Sequence, residues 1–142
     1  MNISTKSRYG VRAMIYLADI FGENKFVPLK EIAQKEEIPF DYLEKIISQL
    51  RKSGLIKSKK GIQGGYSLAR SPEKINVGEI IKILEKTLAP VKCVAKEKEE
   101  RYNCPRKKIC KSFFVWGKIQ DILNSTLKSV SLADLIEREK IQ

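Results

Sequence analysis

Histidine is absent from this 142-residue chain, and that absence removes a large share of enzyme chemistry. Without imidazole there is no Ser-His-Asp or Cys-His activation of a nucleophile, and no mixed Cys/His zinc site. Cysteine is scarce: three residues, all between Cys93 and Cys110, too few for an intramolecular disulfide framework. No apolar run approaches the ~20 residues needed to cross a bilayer. The first ten residues, MNISTKSRYG, lack the apolar centre of a signal peptide. A cytoplasmic protein without membrane contact is therefore expected. Repeats and low-complexity segments are missing, and Lys96 to Arg101 is only a charged loop. Acidic residues are the minority charge, 17 against 28 Lys and Arg, for a formal +11 and a pI of about 9.6. Such a surplus favours a polyanionic partner.

What the chain does have is concentrated between Ile32 and Ala69, IAQKEEIPFDYLEKIISQLRKSGLIKSKKGIQGGYSLA. Ile32 and Ala33 mark the buried side of a short helix, and Ile38-Pro39 closes a turn. Pro39 suits the first position of a second helix, where its missing N–H would be unpaired anyway. Leu43, Ile46, Ile47 and Leu50 recur at helical spacing and leave Asp41, Glu44, Lys45 and Ser48 on other faces. Gly54 is a helix stop. Leu55 to Lys60 alternates in part, Gly64-Gly65 signals a hairpin, and Tyr66 to Ala69 reads as the return strand. Helix-turn-helix followed by a basic hairpin is a winged helix, which predicts DNA binding. The bland alternative is a small α+β core with solvated lysines. Placement argues against it: Lys57, Lys59, Lys60 and Arg70 gather on or beside one hairpin, and Arg51 and Lys52 end the preceding helix.

The flanks complete a single domain with an appended element. A first helix is predicted from near Thr5 or Ser7 to Phe21, with Val11, Met14, Ile15, Ala18 and Phe21 as its apolar stripe and Arg8 and Arg12 on another face. Val27-Pro28 suggests a short edge strand. Beyond Ser71-Pro72, Asn76 to Glu79 reads as a capping box opening a helix that buries Val77, Ile80, Ile81, Leu84 and Leu88. A long helix then spans roughly residues 111–127, with Phe113, Val115, Trp116, Ile119, Ile122, Leu123 and Leu127 on a broad apolar face. So wide a stripe near a chain end calls for a partner, and a second copy is the economical one. Ser131 to Asp134 starts a final short helix ending in a charged tail. The expected fold is mainly α with a small β-hairpin wing, in three parts. They are a winged helix-turn-helix DNA-binding domain (1–88), a cysteine-containing sensor loop (89–110), and a dimerisation helix with a C-terminal helix packing back (111–142).

The loop VKCVAKEKEERYNCPRKKICKSFF spaces its thiols C-x10-C-x5-C. Ordinary buried cysteines are one reading, but Lys92, Lys96, Lys98, Arg101, Arg106, Lys107, Lys108 and Lys111 surround them. Such cations lower thiol pKa and offset the charge of metal-bound thiolates. Zinc would need an oxygen or external fourth ligand; an iron–sulfur cluster accepts thiolates from loops of this kind.

These motifs together resemble the IscR/NsrR/CymR family of bacterial winged-helix regulators over essentially the full chain. The resemblance rests on SRYGVRAMIYLA at 7–18, IPFDYLEKIISQLRKSGLIKSKKGIQGGYSLAR at 38–70, INVGEII at 75–81, the cysteine loop, and SLADLI at 131–136. Lys60-Gly61 before Gly64-Gly65-Tyr66 is the most specific element. The resemblance implies a homodimer crossing through the long helix, a palindromic DNA site and often an iron–sulfur cluster in the loop. It implies that Lys60 stands where a wing arginine enters the minor groove, without the planar fork. It also implies that Glu44 matches a base-reading glutamate, able to accept from cytosine N4. Cluster-binding relatives add a histidine shortly after the last cysteine or an acidic residue on the first helix; Phe113 and Arg8 stand there instead. The ten-residue first gap is longer than usual for the family. Glu97, Glu99 and Glu100 remain as oxygen donors.

The reading is a homodimeric DNA-binding regulator, with repression as the expected direction. Its DNA affinity is set by a [2Fe-2S] or [4Fe-4S] cluster on Cys93, Cys104 and Cys110, with the fourth ligand open. The expected DNA contacts are Pro39, Phe40, Asp41, Tyr42, Glu44, Lys45 and Arg51 around the second helix, and Lys59, Lys60, Gly61, Gly64, Gly65 and Tyr66 on the wing. The alternative keeps the DNA binding and has the protein respond through thiol redox, zinc, or a protein or small-molecule effector. A different class is a winged-helix RNA-binding protein. No enzyme is expected, because Gly61–Gly65 lacks the Lys-Ser/Thr of a phosphate loop and no acid–base pair stands out.

Overall fold

The computed structural model describes residues 2–97 and 102–137. Its order is α1 (Thr5–Asp19), α2 (Leu29–Glu36), α3 (Phe40–Lys52), β1 (Ile56–Lys59), β2 (Gly65–Leu68), α4 (Val77–Leu84), α5 (Phe113–Ser129) and α6 (Leu132–Glu137). Single 3₁₀ turns lie at Phe21–Glu23, Pro72–Lys74 and Lys92–Val94. The fold is a winged helix-turn-helix followed by a long helix. No helix among the described residues is long and apolar enough to cross a membrane.

Ser4 starts α1 as its cap, its hydroxyl accepting the Ser7 N–H at 3.2 Å. The buried face is Ser7, Gly10, Ala13, Met14, Leu17 and Ala18, rotated from the expected stripe. Val11 and Ile15 are only half-buried, and Phe21 falls in the 3₁₀ turn after the helix. Small residues take the inside because other helices pass close. A Cβ at Gly10 would overlap Leu84 and come within 3.4 Å of Ile46 Cγ2.

The helix-turn-helix forms as predicted, with α2 beginning three residues before Ile32. Glu37 takes the left-handed conformation (φ 53°), and the Ile38 N–H reaches back to the Ala33 carbonyl at 3.0 Å. Pro39 is the cap of α3 rather than its first helical residue, at φ −54° and ψ 130°. Its extended backbone leaves the carbonyl free to accept the Leu43 N–H at 2.9 Å. Leu43, Ile46, Ile47 and Leu50 are fully buried. Gly54 (φ 84°) ends α3, with Gly54 N–H on the Arg51 carbonyl and Leu55 N–H on the Leu50 carbonyl, both 3.1 Å.

The hairpin pairs Ile56 with Leu68 and Lys59 with Gly65. Val27, expected in an edge strand, makes a single bridge to Tyr66 through reciprocal bonds of 2.9 and 2.8 Å. Gly65 (φ 144°) has no alternative there, since any Cβ would collide with the Val27 carbonyl.

The predicted capping box opens α4, Asn76 Oδ1 accepting from Glu79 N at 2.9 Å and Glu79 Oε2 from Asn76 N at 3.2 Å. The helix is short, and Leu88 lies beyond its end, half-buried. Ser131 and Asp134 form an equivalent reciprocal pair at α6 (3.1 and 2.9 Å). The two starts are clipped together by Val77 N–H on Val130 O and Leu132 N–H on Ile75 O, both 2.9 Å. Thus α6 folds back onto α1 and buries Leu132.

Helix α5 begins at Phe113, two residues later than expected, and its single buried residue is polar Gln120. Gln120, Asn124 and Leu127 turn toward α4. Trp116, Ile119 and Leu123 are half-buried, whereas Phe114 (70 %), Val115 (43 %) and Ile122 (65 %) are exposed.

Glu85, capping the end of α4, reaches the start of α1. Its Oε1 accepts from Ser4 N (2.7 Å) and from the fully buried Ser7 hydroxyl (2.8 Å). Burial pulls this carboxyl's pKa upward, but the Ser4 and Ser7 donors and the Lys6 charge outweigh it and hold the group below its ordinary value. A depressed folded pKa contributes stability above the unfolded pKa, and that stability is lost as pH falls through the folded value. Glu85→Ala should cost about 1–3 kcal/mol at neutral pH, the scale for charged hydrogen bonds. The gap to wild type in denaturant titrations should shrink in acid. A gap undiminished near pH ~3 would mean that Glu85 acts by packing alone.

Candidate nucleic-acid interface and cysteine segment

Because its apolar face is spent on the core, α3 presents Phe40, Asp41, Tyr42, Glu44, Lys45 and Arg51 outward, with Pro39 exposed before them. Tyr42 is braced from behind by an edge-to-face contact with Tyr9 (5.7 Å, 83°), and Arg12 sits over Tyr9 at 5.6 Å. Arg12 is itself held by the Glu36 carbonyl and carboxylate. Glu44, Lys45 and Arg51 meet Tyr66 of the wing across one cleft, whose other walls are Lys6, Ser48 and Gln49. The last three were missed in the sequence. Ser48 and Gln49 do follow Glu44 and Lys45 by one helical turn, which is the signal that could have found them. Gln49 Oε1 is buried with no hydrogen-bond partner among the described residues.

On the wing, Lys57 and Lys59 lie two residues apart on one strand face, their ammonium groups 5.7 and 5.8 Å from the Phe26 ring centre. Lys60 leads into the tip, where Gly61 (φ 108°) accepts the Gly64 N–H at 3.0 Å. Ile62 projects fully into solvent between them. Gly61, Gly64 and Gly65 shape this turn; a Cβ at Gly64 would overlap the Lys59 carbonyl. Arg70 leaves the expected basic cluster. It pairs with Glu79 at 2.9 Å and with the Lys74 carbonyl at 3.3 Å, where the chain turns toward α4.

All three cysteines are free and half-buried, neither core nor fully solvated. Cys93 lies in the 3₁₀ turn Lys92–Val94, which packs on α5. The Lys92 carbonyl ties the segment together by accepting from both Ala95 N (3.2 Å) and Tyr102 N (3.3 Å). Cys104 and Cys110 flank a run of turns, and Cys110 stands just before α5. Its Sγ is 3.0 Å from Ser112 Oγ. That hydroxyl, then the Phe113 and Ser112 N–H groups and the Arg106 charge, lower the Cys110 pKa against the opposing effect of burial. Cys110 is therefore disposed to thiolate chemistry.

Among the described residues no group of three or more Cys, Asp or Glu side chains is placed to hold a metal ion. Glu97, a candidate oxygen donor, instead accepts from the Thr87 hydroxyl at 2.8 Å. Glu99, Glu100, Lys98, Arg101 and the charged tail lie outside the described residues. In this conformation the donors among the described residues do not come together as a metal centre.

The Rrf2 family, described as iron-dependent transcriptional regulators, matches residues 3–138. The transcriptional regulator CymR of Bacillus subtilis is 40% identical over 135 residues, spanning 95% of this chain and 89% of its own. The structure of IscR from T. potens superposes with a TM-score of 0.75 at 38% identity, covering 100% of this chain and 93% of that one. Staphylococcus aureus CymR in an oxidized form gives 0.73 at 33% identity, with 100% and 99% covered. A winged helix with an exposed basic face, a cysteine segment and a match along nearly its whole length place the chain in the Rrf2 family of transcriptional regulators.

Proposed function

We propose that the chain is a cytoplasmic, homodimeric repressor that reads a palindromic operator and senses through its cysteine segment. The carrying observation is one cleft that brings Glu44, Lys45 and Arg51 of α3 together with Lys6 of α1 and Tyr66 of the wing. Helix α3 enters the major groove, where Glu44 accepts from cytosine N4 and Lys45 and Arg51 meet phosphates. The wing lies along the adjacent minor groove with Lys60 leading. In this reading residues 1–88 bind DNA, 89–110 sense, and 111–142 dimerise and return to the domain. The exposed Phe114, Val115 and Ile122 are the surface that a second copy covers. No catalytic role is assigned.

Sensing is assigned to the Cys110 thiolate. A hydroperoxide would transfer one oxygen to sulfur, forming a sulfenic acid and releasing hydroxide or alcohol. The lost thiolate–Ser112 bond sits beside the first turn of α5, so the change reaches the helix that sets dimer geometry. An oxidized relative of the same fold supports this reading. The second reading is the iron–sulfur cluster on Cys93, Cys104 and Cys110, favoured by the iron dependence attributed to the family. It requires the three thiols to converge from the positions described.

Three measurements test these assignments. In fluorescence anisotropy with a selected operator, Lys60→Ala should weaken binding to all sequences, and Glu44→Ala should chiefly relax base preference by ~1–3 kcal/mol. Affinity should fall ~10³–10⁵-fold from about 50 to 200 mM salt if roughly 6–10 phosphates are neutralised. Binding indifferent to salt, or equal competition by duplex RNA, would remove the operator reading.

Sedimentation should show a dimer for the wild-type protein and a monomer for the double variant Phe114→Glu, Ile122→Glu. A wild-type monomer at tens of micromolar, roughly the assay range, would leave α5 without the proposed role.

Anaerobic incubation with iron and sulfide separates the two sensing modes. The thiol reading expects no visible charge-transfer absorbance, and alkylation of Cys110 faster than of Cys93 or Cys104, slowed by Ser112→Ala. Stoichiometric iron and sulfide, lost in each Cys→Ala variant, would replace it with the cluster.

A further inference from the structure

Between α4, α5 and the start of the cysteine segment lies a cavity of about 560 Å³, within the usual size range of small-molecule sites. Its floor holds an anomaly. Gln120, the buried residue of α5, is 3 % exposed, and its Oε1 has no hydrogen-bond partner among the described residues. Leaving a buried carbonyl unpaired is costly, and such groups ordinarily find a donor. The terminal amide torsion is soft, so a small turn offers the group to the cavity.

The charges in the wall are unevenly committed. Glu79 pairs with Arg70 and caps α4, Glu85 receives Ser4 and Ser7, and Glu97 receives Thr87. Lys82 and Lys128 also line the cavity and have no carboxylate partner among the described residues. The available charge is therefore positive, while the carboxylates disfavour a polyphosphate. Leu88 and Leu127 supply a short apolar surface.

We propose that this cavity binds a small carboxylic acid carrying an amine or hydroxyl, that is, an amino or hydroxy acid. Its carboxylate pairs with Lys82 and Lys128, its amine or hydroxyl donates to Gln120 Oε1, and its carbon skeleton rests on Leu88 and Leu127. The site is separate from the thiol chemistry. Because α4 belongs to the DNA-binding part and α5 to the dimerisation part, an occupant sets the spacing between them. That regulatory consequence rests on the function proposed above; the binding itself does not.

Isothermal titration of the full chain without DNA tests the binding independently of any operator. The probes are L-serine, L-valine, L-leucine, L-lactate and 2-hydroxyisovalerate, against acetate and isobutyrate, which lack the donor. At least one amino or hydroxy acid should bind, with its donor-free counterpart weaker by roughly tenfold or more. Gln120→Leu should abolish that discrimination without lowering the melting temperature, since it removes a buried carbonyl oxygen that has no partner among the described residues. Lys82→Ala and Lys128→Ala, both at exposed positions, should each weaken binding roughly tenfold. No heat from any probe at about 10 mM, or binding that neither lysine variant alters, would overturn the proposal.

Discussion

The two hydrogen bonds between Val27 and Tyr66 decide where the wing stands. Val27 belongs to the linker before α2, and Tyr66 to the return strand of the hairpin. Their bridge ties the wing to the entrance of the helix-turn-helix, so the hairpin cannot swing as an independent arm. A two-stranded ribbon alone is marginal in water. Here its outer edge is paired, and Leu55, Ile56 and Leu68 are buried beneath it. The approach is so close that only a glycine fits at Gly65. The cleft shared by α3, Tyr66 and Lys6 exists because of this constraint.

A second junction joins the winged helix to the C-terminal helices. The starts of α4 and α6 are capped by reciprocal side-chain pairs and bridged to each other through Asn76 and Ser131. At the other end of α4, Glu85 is bonded to the start of α1. The chain thus leaves a well-anchored helix, passes through the cysteine segment and returns along α5, which packs on the same helix. Both ends of the segment are referred to one frame.

The surplus of +11 overstates the charge left without a partner. Arg12, Arg70, Lys25 and Lys96 have carboxylate partners in Glu36, Glu79, Glu23 and Asp121. Pairs this exposed contribute little to stability, but they leave these cations less available to an external anion. Lys6, Lys45, Arg51 and Lys60 carry no such pairing among the described residues and lie on the face of α3 and the wing.

Local chemistry was legible in the chain itself. Hydrophobic spacing identified the buried face of α3, Gly54 its end, Asn76 and Glu79 the start of α4, and Gly64-Gly65 the hairpin. These features depend on residues within a few positions of one another, so periodicity and capping rules reach them. The inward face of α1 was legible only in part: Met14 and Ala18 are buried as their spacing implied, but Gly10 faces inward because Leu84 and Ile46 approach from distant sequence. The same holds for the diversion of Arg70 to Glu79, the separation of the apolar residues of α5 into half-buried and exposed sides, and a Gln120 Oε1 without a partner among the described residues. Composition revealed a cation-rich set of three cysteines. Only tertiary structure placed Cys110 against Ser112 at the start of a helix and left the three thiols unconverged, because distances between loop side chains are set by packing and not by spacing along the chain.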